Sequence, residues 1–224
     1  MNLLRRVRPA ALGALVCALL SAATGCKSAY YNTWEKLGWA KRDILVDRVE
    51  DARDDQEAAK KQFKTTLERF QEVANFQGGD LEAKYKKLNG EYEDSVAAAE
   101  DVTKRIKAVE EVANDMFKEW QEEIKQYSNA ELRRSSEQKL RDTRQRYNQL
   151  IGVMKQAEGK MKPVLAAFKD QVLYLKHNLN AQAVSSLQAT AAGIESDVGR
   201  LIADMERSIA EANAFINQMN KAGG

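Results

Sequence analysis

Two cysteines, Cys17 and Cys26, are the only thiols in this chain of 224 residues, and their positions limit the chemistry they can share. Cys17 lies inside an apolar run, and Cys26 lies directly beyond its end. If the run is cleaved off as a leader, Cys26 keeps no second cysteine in the same chain. An intramolecular disulfide framework is then excluded, and so is a zinc site built on a Cys-x-x-Cys pair.

Residues 1–25 have the three-part composition of a secretory signal. The basic segment MNLLRRVR precedes an apolar run from Ala10 to Ala23, and small residues follow before Cys26. This run is about 14 residues long, whereas a helix needs about 20 to span a bilayer. We therefore expect residues 1–25 to be removed. The alternatives are an uncleaved anchor and an ordinary signal peptide that happens to contain a cysteine.

The four residues Ala23-Thr24-Gly25-Cys26 resemble the lipobox of bacterial lipoproteins, with Ala23 where Leu is usual. The resemblance implies that the Cys26 thiol receives diacylglycerol before the leader is cut away, which makes Cys26 the lipidation site. Two or more acyl chains anchor a protein stably in a membrane. Lys27 follows the cysteine, and the absence of Asp there favours the outer membrane, facing the periplasm, in a Gram-negative envelope.

Residues 26–40 form the expected neck between the lipid and the folded part of the chain. Amphipathic aromatic rings favour the headgroup layer of a membrane. We expect four such residues to lie close to the membrane: Tyr30, Tyr31, Trp34 and Trp39. The alternative is that Trp34 and Leu37 simply start the hydrophobic core.

The formal charge of the whole chain is +2, but much of this basicity belongs to the leader. Without the three arginines of residues 1–25, 32 basic side chains face 33 acidic ones, so the mature chain carries about −1. Nucleic-acid binding proteins need a basic surface to contact phosphates. The charge therefore gives no support to a nucleic-acid partner.

Residue types that serve catalysis or metal binding are sparse. His177 is the only histidine, so the Glu-x-x-His pairs of di-iron bundles are excluded. No serine lies in a nucleophile-elbow motif, and no glycine-rich phosphate loop precedes a Lys-Ser or Lys-Thr pair. A pH-sensitive contact or a metal ligand is one interpretation of His177, and a polar residue near a helix end is the favoured one. We predict no catalytic residue, no metal, no cofactor and no enzymatic activity.

Two charged clusters are candidate binding sites. Acidic residues of the segment 43–55 alternate with Arg42, Arg48 and Arg53, which favours a solvated, salt-bridged face over a cation site. A basic patch follows at Arg133, Arg134, Lys139, Arg141, Arg144 and Arg146. The patch predicts either an anionic ligand or pairing with an acidic neighbouring helix, and acidic residues at 91–123 favour the pairing.

The elements that must position these residues follow from hydrophobic periodicity. Apolar residues recur at alternating steps of three and four, as in helices that bury one face. The first stripe contains Leu45, Val49, Ala52, Ala59, Phe63, Leu67, Phe70 and Val73, with Gln56 as an interruption. Four helices are predicted at about 34–76, 80–126, 130–179 and 182–220. The predicted fold is all-α: an elongated antiparallel helical bundle of coiled-coil hairpins over residues 41–221.

Three turns are predicted between these helices. In NFQGGD, at 75–80, Gly78-Gly79 stops the first helix and Asp80 caps the second. Ser128-Asn129-Ala130-Glu131 has the spacing of a capping box with Ser128 as the N-cap. The last turn, near Asn180, has the weakest signal, and one continuous helix is the alternative there.

Two further expectations concern the helices themselves. Gly159 and Pro163 predict a kink in the third helix or its division into two, because a proline ring clashes with the carbonyl four residues earlier. Folding the chain back at the first two turns predicts salt bridges across the helices: Asp51 with Arg105, Glu50 with Lys107, Glu123 with Arg134, Glu119 with Lys139, Asp115 with Arg141 and Glu111 with Arg146.

Four segments carry a resemblance to a known family: CKSAYYNTWEKLGWAKRDILVDRVEDARDDQE, NFQGGDLEAKYKKLNGEYEDS, QYSNAELRRSSEQKLRDTRQRYNQLI and PVLAAFKDQVLYLKHNLNAQAVSSLQ. They resemble the bacterial family catalogued as a domain of unknown function, number 2959, from about Cys26 to Ile216. The resemblance implies a helical, coiled-coil-rich envelope lipoprotein. It brings no established activity, so no residue role transfers from it.

These expectations lead to one favoured function, one alternative and an enzyme as the third choice. We expect a lipid-anchored, non-enzymatic envelope protein that acts as a spacer, scaffold or adaptor, whose partner is another protein or the cell wall. The alternative is a periplasmic bundle that binds lipid or an amphiphile between its helices, with its opening at Gly159–Pro163. Self-association is compatible with both, and an enzyme is the third choice.

Overall fold

The structure is a computed structural model that describes residues 41–221. These residues form four α-helices joined by three short turns: α1 (Lys41–Ala74), α2 (Leu81–Ile124), α3 (Ala130–His177) and α4 (Ala181–Lys221). The predicted all-α class with four long helices is confirmed. The predicted leader, the lipidation site Cys26 and the four aromatic residues Tyr30, Tyr31, Trp34 and Trp39 lie outside the described residues.

The chain divides after Asp43 into two units, and the bundle is the second of them, from Ile44 onward. Each helix of the bundle contacts its two neighbours. Between α2 and α1, Arg105 Nη1 lies 3.0 Å from Asp51 Oδ2, and between α1 and α4, Arg53 Nη1 lies 3.2 Å from Asn213 Oδ1. Between α3 and α4, Gln156 Nε2 lies 3.1 Å from Asp204 Oδ1. Between α2 and α3, the ring centroids of Phe117 and Tyr147 are 5.5 Å apart. The predicted Asp51–Arg105 pair is thereby confirmed, and the other predicted pairs stay predictions.

Core positions on α1 follow a strict alternation of three and four residues. The buried residues in this series are Leu45, Val49, Ala52, Gln56, Ala59, Phe63, Thr66, Phe70 and Val73. Our placement of Leu67 in this stripe was wrong, since Thr66 is fully buried and Leu67 is only half-buried. Gln56 also continues the series. In a coiled-coil bundle the heptad period decides which side faces the core, so a polar residue at the right step is buried in preference to a leucine one step later.

The turn between α1 and α2 depends on two glycines. Gly78 and Gly79 have φ angles of +145° and +103°, which side chains with a Cβ rarely adopt. Asp80 then caps α2, because its Oδ1 accepts a hydrogen bond of 2.9 Å from the backbone N–H of Ala83. Both features agree with the predicted turn.

Asparagines cap the two later helices. Asn129, and not Ser128 as we predicted, is the N-cap of α3: its Oδ1 accepts from the N–H groups of Glu131 (2.8 Å) and Leu132 (3.1 Å). Asparagine is as strong an N-cap as serine, so Asn129 can take this role, and α3 begins at Ala130, the predicted first residue of the helix. Between α3 and α4, Asn180 Oδ1 accepts from the Ala183 N–H at 3.0 Å, and the chain turns at residues 178–180.

The third helix runs without interruption from Ala130 to His177, with Pro163 inside it. Division into two helices, one of our two alternatives, is therefore wrong. Pro163 and Gly159 are both exposed, so solvent can hydrate the Gly159 carbonyl that the proline leaves without its helical donor. Within residues 41–221, none of the helices has the length and apolar character that a membrane crossing requires.

Candidate functional site

An open groove of about 440 Å³ lies between α2 residues 96–104 and α3 residues 158–165; we call it the α2–α3 groove. Its floor is apolar and includes Val96, Ala99, Met161 and Leu165. Met161 and Ala99 belong to the core, with 2% and 8% of their surface exposed. Val96 and Leu165 are half-buried and reach the outside of the bundle. The groove therefore joins the hydrophobic core to the surface.

Small side chains in both helices explain why the groove forms. The α2 segment SVAAAE places alanines at 97–99, and Ala99 occupies a core step where a larger side chain would raise the floor. On α3, Gly159 lies beside the groove residues, and a Cβ there would meet no atom within 4 Å. Packing of two helices leaves a surface depression wherever side chains at the seam are too short to fill it.

Four charged side chains form the rim of the groove: Glu100 and Lys104 on α2, and Glu158 and Lys162 on α3. Each pair is separated by four residues, so its members lie one turn apart on the same side of a helix. Lys104 Nζ also contacts Asp101 Oδ1 at 3.0 Å, and this pairing raises the pKa of the lysine. The groove thus combines an apolar floor with two acids and two bases.

On the other side of α3, a buried carboxylate connects the helix to α4. Asp204 is only 5% exposed, and its Oδ1 accepts a hydrogen bond of 3.1 Å from Gln156 Nε2. Lys160 forms an ion pair with Oδ2, and Arg207 Nη1 lies 3.4 Å from Oδ1. The hydrogen bond from Lys160 lowers the pKa of Asp204 against the opposing effect of its burial. Sequence analysis missed this cluster, because Asp204 comes directly before the core residue Met205 and reads as a flanking surface charge.

A polar layer lies inside the bundle between α1 and α2, and we name it the Thr66–Ser95 layer. Both side chains are fully buried, and their hydroxyl oxygens are 2.8 Å apart. Thr66 Oγ1 also lies 2.8 Å from the Glu91 carbonyl, and Gln62 Nε2 donates to the same carbonyl at 3.1 Å. Every polar side chain of this layer has a hydrogen-bond partner.

A second polar layer contains Gln56 on α1 and Ser208 on α4, and we name it the Gln56–Ser208 layer. Two contacts between the antiparallel helices bracket it: Arg53 with Asn213 at 3.2 Å and Lys60 with Glu206 at 3.9 Å. Gln56 and Ser208 therefore lie within one helical turn of the same level, and both are fully buried. Within residues 41–221, neither the Gln56 amide nor the Ser208 hydroxyl has a hydrogen-bond partner.

The comparisons with known proteins give one match. The family model described as "Protein of unknown function (DUF2959)" matches residues 30–219. The chain belongs to this family. The resemblance of the chain to the domain of unknown function number 2959, predicted from the sequence, is confirmed. No curated protein and no solved structure matches the chain.

The family description assigns no activity, so the roles of individual residues rest on the structure. Of the predicted basic patch, Arg144 is half-buried, and its guanidinium lies over the Phe117 ring of α2, 5.0 Å from the ring centre. Arg141 donates to Gln138 Oε1 at 2.7 Å. The remaining patch residues, Arg133, Arg134, Lys139 and Arg146, are exposed on the first half of α3. Arg144 therefore contributes to pairing of α2 with α3, and an anionic ligand for the patch stays a prediction.

The two other predicted sites are placed as follows. His177 is the last residue of α3 and is exposed. The arginines of the acidic segment pair with its carboxylates: Arg48 Nη1 with Asp51 at 3.2 Å and Arg53 Nη2 with Asp54 at 2.8 Å. In the part of the chain that the structure describes, no group of three His, Cys, Asp or Glu side chains is placed to hold a metal ion.

Proposed function

We propose that this protein is a lipid-anchored bacterial envelope protein that acts as a non-enzymatic spacer or scaffold, attached through Cys26. The observation that carries the proposal is the combination of the lipobox-like sequence at 23–26 with a bundle of long, uninterrupted helices. From Ile44 to Ala74, α1 extends over about 45 Å. The 48 residues of α3 extend over about 70 Å, and a chain anchored at Cys26 would carry a rod of about that length, which suits a spacer.

The end of the bundle opposite Ile44 offers a surface for a protein partner. The turns at 75–80 and 178–180 both lie there, and a cleft of about 520 Å³ separates them, lined by Phe76, Leu81 and Leu179 among others. Large apolar side chains near the end of α3 are exposed: Leu173 by 48%, Tyr174 by 38% and Leu179 by 40%. Neighbouring exposed apolar side chains mark protein interaction sites more often than chance. We refer to this surface as the distal end.

The experiment tests the anchor and the partner separately. Metabolic labelling with a fatty acid should label the wild-type chain and leave Cys26→Ser unlabelled; label retained by Cys26→Ser would overturn the anchor. A photo-crosslinking amino acid at Leu179, in intact cells, should capture a protein that the same probe at exposed Gln145, a third of the way along α3, does not capture. Equal capture at both positions would overturn a partner specific to the distal end.

A second candidate is the binding of lipid or an amphiphile, which the apolar floor of the α2–α3 groove favours. Native mass spectrometry of the full chain, purified without added lipid, would then show a bound adduct of 1:1 stoichiometry. The variant Val96→Glu, which places a charge in the floor, should lose the adduct, whereas Ser186→Glu on the exposed surface of α4 should keep it. Absence of the adduct from the wild-type chain would overturn this candidate.

A further inference from the structure

The order of the charges on the groove rim has a consequence for what can bind there. The helices α2 and α3 are antiparallel. In the direction in which α2 runs, Glu100 comes before Lys104 on the α2 side of the groove. On the α3 side, in the same direction, Lys162 comes before Glu158. Opposite helices therefore carry opposite charge sequences: acid then base on α2, and base then acid on α3.

A pattern of this kind is complementary to itself. A two-fold axis parallel to the groove brings the α2 of one copy over the α3 of another, with both copies pointing the same way. Glu100 of the first copy then faces Lys162 of the second, and Lys104 faces Glu158. A closed two-fold interface needs a surface that complements itself in this way. Charge complementarity selects partners and orientation, because like charges placed together cost several kcal/mol.

We propose that the α2–α3 groove binds a second copy of this chain, side by side and in parallel, with the half-buried Val96 and Leu165 at the centre and the four rim charges around them. The apolar floor supplies surface to bury, and the rim supplies the register. Parallel alignment follows from the proposed function, on which this inference rests, since two chains anchored in one membrane enter their bundles from the same side.

Nine residues line the groove, whereas a stable interface buries roughly 800 Å² and about 20 to 30 residues on each partner. Association of free chains should therefore be weak. Anchoring both copies in one membrane raises their effective concentration and favours the pair without any new contact. The dimer is thus expected when the chains are anchored in a membrane, whereas free chains in dilute solution are expected to be monomeric.

Exchanging charges within one helix tests both the interface and its direction. The α2 exchange, Glu100→Lys with Lys104→Glu, leaves the net charge unchanged and places like charges opposite each other in the parallel dimer. We expect a loss of dimer of roughly tenfold or more. The combined exchange, which adds Glu158→Lys with Lys162→Glu on α3, restores opposite charges and should restore the dimer. In an antiparallel dimer α2 would face α2, so the α2 exchange alone would leave the dimer intact.

The measurement uses the full lipidated chain in vesicles of a neutral phospholipid, as an equal mixture of unlabelled and ¹⁵N-labelled protein. A carbodiimide joins carboxylates directly to lysines, and mass spectrometry then identifies peptides that link the two isotopes. In the wild type, Glu100 linked to Lys162 across isotopes is the expected result. In the α2 exchange residues 100 and 162 are both lysines, which a carbodiimide cannot join, so the dimer of every protein is also measured with a lysine-to-lysine cross-linker. Mixed-isotope lysine links should be lost in the α2 exchange and recovered in the combined exchange. Circular dichroism of each variant checks that the bundle is folded.

Three outcomes would overturn the proposal: no mixed-isotope link in folded, lipidated wild-type protein, a link of Glu100 to Lys104 across isotopes, or a dimer that survives the α2 exchange. A lipid adduct in the groove of the monomeric chain would point to the amphiphile instead. Failure of the anchor is recognised independently, because the chain then carries no fatty acid and does not bind vesicles. In that case the same crosslinks are measured at high protein concentration in solution.

Discussion

The two polar layers on α1 lie ten residues apart, and both are fully buried, but their hydrogen bonding differs. In the Thr66–Ser95 layer the two hydroxyls are 2.8 Å apart, and Thr66 also reaches the Glu91 carbonyl. In the Gln56–Ser208 layer the amide and the hydroxyl have no partner within residues 41–221. A buried polar group without a partner costs its full desolvation, about 1 to 3 kcal/mol, whereas a satisfied one is close to neutral or favourable.

The satisfied layer also specifies how the helices align. Heptad layers of apolar residues resemble one another, so a slip of seven residues between α1 and α2 would still bury apolar surface. Such a slip would place Thr66 opposite Leu88 or Val102 instead of Ser95. The Thr66 hydroxyl can also bond within its own helix, to the Gln62 carbonyl at 3.1 Å, but only the observed register pairs it with Ser95. The Thr66–Ser95 layer therefore combines little cost in stability with selection of one register, while the Gln56–Ser208 layer carries a cost.

The variant Gln56→Leu should change stability the most. Leucine has a similar volume and removes both unpartnered groups of the amide, so we expect the free energy of unfolding to increase by about 2 kcal/mol. Urea denaturation followed by circular dichroism measures the change, with Gln121→Leu on the exposed face of α2 as the control. A decrease in stability would show that the Gln56 amide is hydrogen-bonded in solution, and the two layers would then be alike.

The variant Thr66→Val should have the opposite sign. It keeps the shape of the side chain but removes the partner of the Ser95 hydroxyl, so we expect a loss of about 1 to 2 kcal/mol. Thr65→Val is the matched control, because the Thr65 hydroxyl bonds only within its own helix, to the Lys61 carbonyl at 3.1 Å. A cycle with Ser95→Ala should give a coupling energy above about 0.5 kcal/mol. Additive effects of the two changes would refute the paired layer.

Asp204 provides a buried polar group of a third kind, satisfied by charge. Its pKa in the folded protein is lowered, first by the hydrogen bond from Lys160. The stabilisation is therefore fully present above the unfolded pKa of about 3.9 and is lost as the pH falls through the folded pKa. Denaturation midpoints measured between pH 7 and pH 2.5 should fall less steeply below pH 4 in Asp204→Asn than in the wild type. Equal slopes in the two proteins would contradict the assignment.

The variant Ser208→Ala should have the smallest effect. It removes a buried hydroxyl without a partner and leaves almost no cavity, so stability should rise by a few tenths of a kcal/mol, up to about 0.5 kcal/mol. Thermal unfolding of Ser208→Ala and of the control Ser186→Ala, on the exposed face of α4, gives the comparison. If Ser208→Ala and Gln56→Leu are not additive, Gln56 and Ser208 act on each other, and the layer is then paired as the Thr66–Ser95 layer is.

Periodicity predicted most of the fold, because each long helix repeats the same three-and-four step many times and single deviations do not alter it. Gly78-Gly79 and Asp80 predicted the first turn for local reasons of backbone conformation and capping. The Asp51–Arg105 pair also followed from the sequence, since folding back at a known turn fixes which residues face each other. Errors occurred where the local preference of a residue did not decide its role: Asn129 is as good a cap as Ser128, and Thr66 takes the core step although Leu67 is more hydrophobic.

The candidate site was less accessible to sequence reasoning. Glu100 and Lys104, or Glu158 and Lys162, look like ordinary surface pairs when each helix is considered alone. The order of acid and base on α2 is opposite to that on α3, and this becomes visible only when the two helices lie side by side in antiparallel orientation. Asp204 likewise appears buried only once Gln156 and Lys160 of α3 lie against it.

The sequence by itself determined the helices, their turns and the family, because these depend on local propensity and on a repeat within ten or so residues. Tertiary structure alone decided which polar residues are satisfied and which are not, because hydrogen bonds between helices join residues 16 to 160 positions apart in the chain. It also decided that an apolar groove with a self-complementary rim lies between α2 and α3. Charge order across a seam is a property of two packed helices and belongs to neither of them alone.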